Sequence, residues 1–118
     1  MGKAIIFYRT ADGKCPVQEF FDSLSGKAAQ KLAWVLSLIE DLDVVPSTFL
    51  KKLVGNKEIW ECRLQFGSNA YRVFCFFDGN SVVVLTHGMT KKTQKIPQRE
   101  INKAEAYRRD YLQRRIEE

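Results

Sequence analysis

Residues 59–66, 70–78 and 81–90 form three strand-like apolar runs, with tight connections at Gly67-Ser68 and Gly79-Asn80. Two-residue connections that carry glycine are hairpin turns, so the three runs form a meander. This commits the second half of the chain to an antiparallel sheet. With Gly67-Ser68 as a two-residue loop, Phe66 faces Asn69, Leu64 meets Tyr71, Cys62 meets Val73 and Trp60 meets Cys75. Those pairs are apolar and define a core face; the opposite face sets Arg63 against Arg72. With Gly79-Asn80 treated alike, Asp78 faces Ser81, Phe74 meets Leu85 and Arg72 meets His87. The result is a row of Arg63, Arg72 and His87 across three strands, with Lys91 on the same side by strand alternation. Like charges directly opposite one another are destabilising. A bound phosphate explains such a row, because the planar fork of arginine matches phosphate oxygens. The plainer explanations are that the arginines splay into solvent, or that Glu61 neutralises one of them.

The remaining elements follow from periodicity and punctuation. Residues 3–8 read as a first strand and residues 11–14 as a turn. Pro16 suits the first position of a short helix through Leu24. Ser25-Gly26 breaks that helix, and Ser25 is placed to cap the next. Residues 27–42 carry Ala28, Leu32, Val35, Leu36, Ile39 and Leu42 at helical spacing, which predicts a helix packed across a sheet. Val44-Val45-Pro46-Ser47 ends it. Residues 49–54 read as a short edge strand before a turn at Gly55-Asn56. Pro97 opens a last helix with an apolar stripe of Ile101, Ala104, Tyr107, Tyr111 and Leu112 and a strongly basic opposite face. The expected architecture is α+β: an antiparallel sheet of four to five strands, two N-terminal helices packed on one face, and a C-terminal helix.

The 118 residues fit one domain, 1–118, with one core, and 45% hydrophobic content supports folding over disorder. No apolar run reaches the roughly 18 residues of a membrane span. The apolar stretch of the N-terminus is too short for a signal peptide, so the expectation is a cytoplasmic protein. Cys15, Cys62 and Cys75 form no C-x-x-C pair and lie in or beside apolar segments. They read as buried reduced thiols, and with a single distant histidine a zinc site is not expected. No cofactor is called for. The net charge of +5 is unevenly spread: residues 1–46 hold 5 basic and 6 acidic side chains, residues 47–118 hold 14 and 8. A positive field confined to the C-terminal part favours a nucleic-acid partner over a membrane.

The strand end from His87 to Pro97 concentrates that chemistry. It carries the only histidine and three lysines, Lys91, Lys92 and Lys95, with no acid among them. Such a segment suits gripping a polyanion beside a group that moves a proton. Histidine titrates near pH 6.5 when unperturbed, and a lysine crowded by cations is the competing acid or base.

Ile59-Trp60-Glu61-Cys62-Arg63, Tyr71-Arg72-Val73-Phe74 and His87-Gly88-Met89-Thr90-Lys91-Lys92-Thr93-Gln94-Lys95-Ile96-Pro97 together resemble the phage-derived Gp49-like branch of HigB toxins. That branch belongs to the RelE/ParE superfamily of type II toxin–antitoxin systems. The likeness runs from about residue 3 to residue 111. Cys62 stands where the family strand motif usually has leucine, and Met89 where phenylalanine is common. The resemblance implies a RelE/ParE-like fold and a ribosome-dependent mRNA endonuclease; the mechanism expected from the residues is metal-independent cleavage by the RNA's own 2′-hydroxyl. The resemblance also implies a cognate antitoxin with a helix-turn-helix domain, and an oligomer formed only with that antitoxin. By position Arg63, Arg72 and the cluster of Lys91, Lys92 and Lys95 match the family's basic strand and loop positions. The residues themselves add His87 to Arg63, Arg72 and Lys91 as catalytic candidates, and Arg99 to Lys92 and Lys95 for RNA contact. The superfamily varies in its acid and base, so that assignment does not transfer. Three other functions fit the same residues: a ParE-like gyrase inhibitor, a nucleic-acid-binding domain without chemistry, and a phage structural protein.

Overall fold

The computed structural model describes residues 2–55 and 58–117. Eight elements follow one another: β1 (Ala4–Phe7), α1 (Pro16–Ser23), α2 (Gly26–Asp41), β2 (Leu50–Lys52), β3 (Trp60–Phe66), β4 (Asn69–Asp78), β5 (Val82–Lys91) and α3 (Gln98–Glu117). The strands form one sheet in the order β1-β5-β4-β3-β2. The α+β architecture with five strands and three helices is as expected. One strand differs in direction: β1 pairs with β5 in parallel, and Tyr8 N–H donates to Leu85 O at 2.9 Å. The strand expected over 49–54 is reduced to three residues. Of the expected Gly55-Asn56 turn, Asn56 lies outside the described residues.

Local chemistry sets the helix starts. Pro16 occupies the first turn of α1, where a missing N–H costs nothing. Ser25 caps α2 by accepting from Ala28 N–H at 3.2 Å, a contact worth about 1 kcal/mol. The apolar stripes then send the helices to opposite sides of the sheet. Val17 of α1 and Leu32, Val35 and Ile39 of α2 pack on Cys62, Val73, Cys75 and Leu85. On the other side Ala104, Ile101, Tyr107 and Tyr111 of α3 cover Tyr8, Phe74, Phe76 and Val84. The C-terminal half of α3 is pinned by hydrogen bonds. Tyr8 Oη donates to Asp110 at 2.5 Å, and Tyr111 Oη to Asp78 at 2.9 Å. The three cysteines are free and buried, and burial pushes the Cys62 thiol up to about 12. No described helix is long and apolar enough to cross a membrane.

The β3–β4 register is the expected one throughout, from Trp60 opposite Cys75 to Phe66 opposite Asn69, with Arg63 opposite Arg72. The β4–β5 register is corrected twice. Asp78 pairs with Val82, so the connection holds three residues rather than two. A bulge then leaves Thr86 unpaired between Cys75–Leu85 and Phe74–His87. The Thr86 hydroxyl reaches Phe74 O at 3.1 Å and so gives a ladder carbonyl a partner at the irregularity. The two shifts add, so His87 keeps the Arg72 face but faces Phe74, and Met89 stands opposite Arg72. Leu85, expected opposite Phe74, lies on the other face in the α1/α2 core.

Gly88 permits the close seating of α1. A Cβ there would lie 2.3 Å from the Phe20 ring, so no larger residue fits while Phe20 stays in place.

Candidate nucleic-acid interface

The α3 helix covers one end of its sheet face and leaves the other open, where Arg63, Arg72 and Lys91 lie. Arg63 and Arg72 are a directly opposed pair on β3 and β4. Glu61, two residues before Arg63 and on the same face, sits between them. Its carboxylate is 3.6 Å from Arg63 Nε and 3.4 Å from Arg72 Nε. A well-made guanidinium–carboxylate hydrogen bond is nearer 2.7–2.9 Å. Glu61 Oε2 and Arg72 Nε are in fact buried atoms with no hydrogen-bond partner. One acid therefore holds two cations loosely and leaves a net positive charge. Of the two explanations that avoid a ligand, Glu61 is present, but it is shared rather than paired off. Burial pushes the Arg72 pKa down, Glu61 pulls it back, and Arg63 adds to the lowering. The guanidinium remains charged, as arginine does in proteins. Arg72 Nη1 also donates to Tyr71 O at 3.0 Å, which fixes the plane of its fork.

Two depressions meet at Arg72 and Gln65. One, of about 540 Å³, is lined by Gln65, Ala70, Arg72, Lys91, Lys92, Thr93 and Gln94. The other, of about 310 Å³, is lined by Lys31, Thr48, Phe49, Arg63, Leu64, Gln65 and Arg72. Together they form a groove from the end of β5 across β4 and β3 to the sheet edge. The groove exists because β2 stops short: it pairs only with Trp60, Glu61 and Cys62, so β3 beyond Arg63 has an open flank. Lys91 is half-exposed and Lys92 exposed within it. Lys95 and Arg99 are exposed but line neither depression. Arg99 reaches Glu100 at 3.5 Å. Lys31 carries no signal in the sequence, being a lone lysine on an amphipathic helix.

His87 departs most from the expected row. It is 4% exposed, stacked on Phe74 at 4.8 Å and edge-on to Tyr107 at 5.7 Å. Its Nε2 lies 3.1 Å from Glu100 Oε1 and its Nδ1 3.0 Å from Thr86 Oγ1. A carboxylate only accepts, so Nε2 carries the proton and Nδ1 shares the Thr86 hydroxyl with Phe74 O. Burial pushes the imidazole down to about 4, against the upward pull of Glu100, and Lys103 adds to the lowering. At neutral pH His87 is an uncharged ring that joins the bulge of β5 to α3, and it lines neither depression. The sequence placed it beside Arg72; the three-residue connection and the Thr86 bulge move it to the seam under α3.

Among the described residues no three His, Cys, Asp or Glu side chains gather to hold a metal ion. The polar groups facing the groove suit a phosphate: two opposed guanidinium groups beside the ammonium groups of Lys91 and Lys92.

No curated protein matches the sequence. Residues 19–109 match the family described as phage-derived protein Gp49-like (DUF891). That match spans α2, the whole β2–β5 segment and the first half of α3, so it contains the arginine pair and the groove. The chain belongs to the phage-derived Gp49-like family, a family of RelE/ParE-like toxins.

Proposed function

We propose that the protein is the toxin of a type II toxin–antitoxin system and acts as a ribosome-dependent mRNA endonuclease. The observation that carries this reading is the Arg63–Arg72 pair. It is held side by side by one loosely bonded glutamate and opens onto a groove that continues to Lys91 and Lys92. In the proposed reaction the RNA's own 2′-oxygen attacks the adjacent phosphorus and its proton passes to a base. The bond from phosphorus to the 5′-oxygen breaks and that oxygen takes up a proton. The products are a 2′,3′-cyclic phosphate and a 5′-hydroxyl end. Arg63 and Arg72 stabilise the charge that builds on the phosphorane. Glu61 keeps both forks facing the groove.

Lys91 is the proton-transfer group this geometry favours. It lines the same depression as Arg72, whereas His87 would have to leave a stacked, hydrogen-bonded site to reach substrate. His87 is assigned instead to positioning β5 against α3. Lys92 contacts the RNA backbone inside the groove, and Lys95 and Arg99 extend the positive surface beyond it. The proposed partners are translating ribosomes with their mRNA, and a cognate antitoxin with a helix-turn-helix domain. An acidic antitoxin segment laid in the groove would neutralise the toxin and build the oligomer.

The burial of His87 also favours a second reading, in which the groove binds without cutting, as in a ParE-like gyrase inhibitor or a plain nucleic-acid-binding domain. Incubation with translating ribosomes and a defined mRNA, followed by mapping of 5′ ends, separates the two. Cuts at codon boundaries that are absent from free RNA support the endonuclease. Intact mRNA together with trapped gyrase–DNA complexes overturns it.

A further inference from the structure

We propose that Trp34, with Phe49 and Lys31, forms a nucleobase-binding subsite at the sheet edge. It would take the base of the nucleotide whose phosphate rests on Arg63 and Arg72. The inference rests on the RNA reading above and adds a specificity element to it.

Trp34 is 50% exposed, the only aromatic side chain so open among the described residues. Nothing in the α2 core requires an indole at that position: Leu32, Val35 and Ile39 fill the buried face. The ring is nevertheless held, edge-on to Phe49 with centroids 5.4 Å apart and planes at 89°. Phe49 in turn lines the depression that Arg63, Arg72 and Lys31 share. Lys31 lies three residues before Trp34 on α2, so the two are neighbours on one helix face. Phe49 O also accepts from Arg63 N–H at 2.8 Å, which ties the aromatic pair to the strand that carries the arginine. One aromatic ring, Phe49, therefore lines the groove beside its cations, and Trp34 stands against that ring.

Single-stranded nucleic acid is held by this combination: cations along the backbone and flat rings for the unstacked bases. A purine, with the larger π face, gains more from the site than a pyrimidine. The depression of about 310 Å³ has room for one base beside Phe49.

The chain has two tryptophans, so Trp60→Phe leaves Trp34 as the sole indole reporter. The probes are a short 2′-O-methyl RNA, which the proposed reaction cannot cut, and an abasic oligonucleotide of the same length. The expected result is quenching of Trp34 emission by the RNA and none by the abasic strand. Trp34→Ala should weaken RNA binding by roughly tenfold or more, and Trp34→Phe by much less. Affinity for the abasic strand should not change in either variant. RNA binding that is unquenched and equally tight in Trp34→Ala overturns the subsite and leaves the arginine groove standing. Wild-type protein that binds neither strand, whether the strand is free or held on ribosomes, overturns the RNA reading as well. A concentration-dependent blue shift of Trp34 without RNA would mark the ring as a contact between copies, and would also overturn the subsite.

Discussion

His87→Gln separates a buried positioning histidine from a catalytic one, and pH is the lever. Glutamine leaves an amide N–H near Glu100 and has no titration. In the wild type the unfolded chain takes a proton on His87 near its ordinary value of 6.5, the folded chain only near 4. Between those values the unfolded state holds more protons, so stability falls as pH falls. The contribution of the neutral ring is complete above pH 6.5 and gone below pH 4. Integrated from pH 7.5 to pH 5, the loss is about 2 kcal/mol for this one group. That window lies above the titration of ordinary carboxylates. The assay is urea unfolding of wild type and His87→Gln at both pH values, comparing midpoints at constant slope. The wild type should lose about 2 kcal/mol more than the variant over that interval. Parallel losses would mean that His87 titrates in the folded protein as it does in the unfolded chain. The account of a ring sealed under α3 would then be refuted.

Three further outcomes follow from the same geometry. Gly88→Ala drives a methyl into the Phe20 ring and should cost about 1–3 kcal/mol by thermal unfolding; pairing it with Phe20→Leu should recover most of the loss. Glu61→Gln leaves the buried Arg72 guanidinium without its counter-ion and should destabilise by about 3 kcal/mol. Added inorganic phosphate should then raise the melting temperature more in that variant than in wild type; an equal rise in both would contradict the phosphate-binding role of the arginines. Lys91→Ala should lower cleavage with little loss of RNA affinity, and undiminished cleavage would remove Lys91 from the chemistry.

The parts of the fold that could be read in advance are those where the two faces of a strand differ. On β3, Trp60, Cys62, Leu64 and Phe66 alternate with Glu61, Arg63 and Gln65, so only one register buries the apolar set. The Arg63–Arg72 pair was therefore legible. Between β4 and β5 the contrast vanishes. Cys75, Phe76 and Phe77 face Leu85, Val84 and Val83, apolar on both sides because helices cover both faces of the sheet. A one-residue slip there carried no penalty that the pattern could reveal. The bulge at Thr86 has no glycine or proline to mark it, and its stabilising hydroxyl bond to Phe74 O is a tertiary contact. The stripe of α3 was visible as Ile101, Ala104, Tyr107 and Tyr111, but no periodicity says which side of a sheet a helix covers. That choice decides whether His87 meets solvent. The parallel placement of β1 depends on a long crossover, and the groove depends on where β2 ends. Neither leaves a local signature.

The most direct test of the central claim is the rate and end chemistry of RNA cleavage on programmed ribosomes, for wild type beside Arg72→Ala. Fragments bearing 5′-hydroxyl and 2′,3′-cyclic phosphate ends, formed roughly 10²–10³-fold more slowly by Arg72→Ala, are the predicted result. Undiminished cleavage by a folded Arg72→Ala, or fragments with 5′-phosphate ends, would contradict the assignment of the arginine groove as the site of phosphoryl transfer.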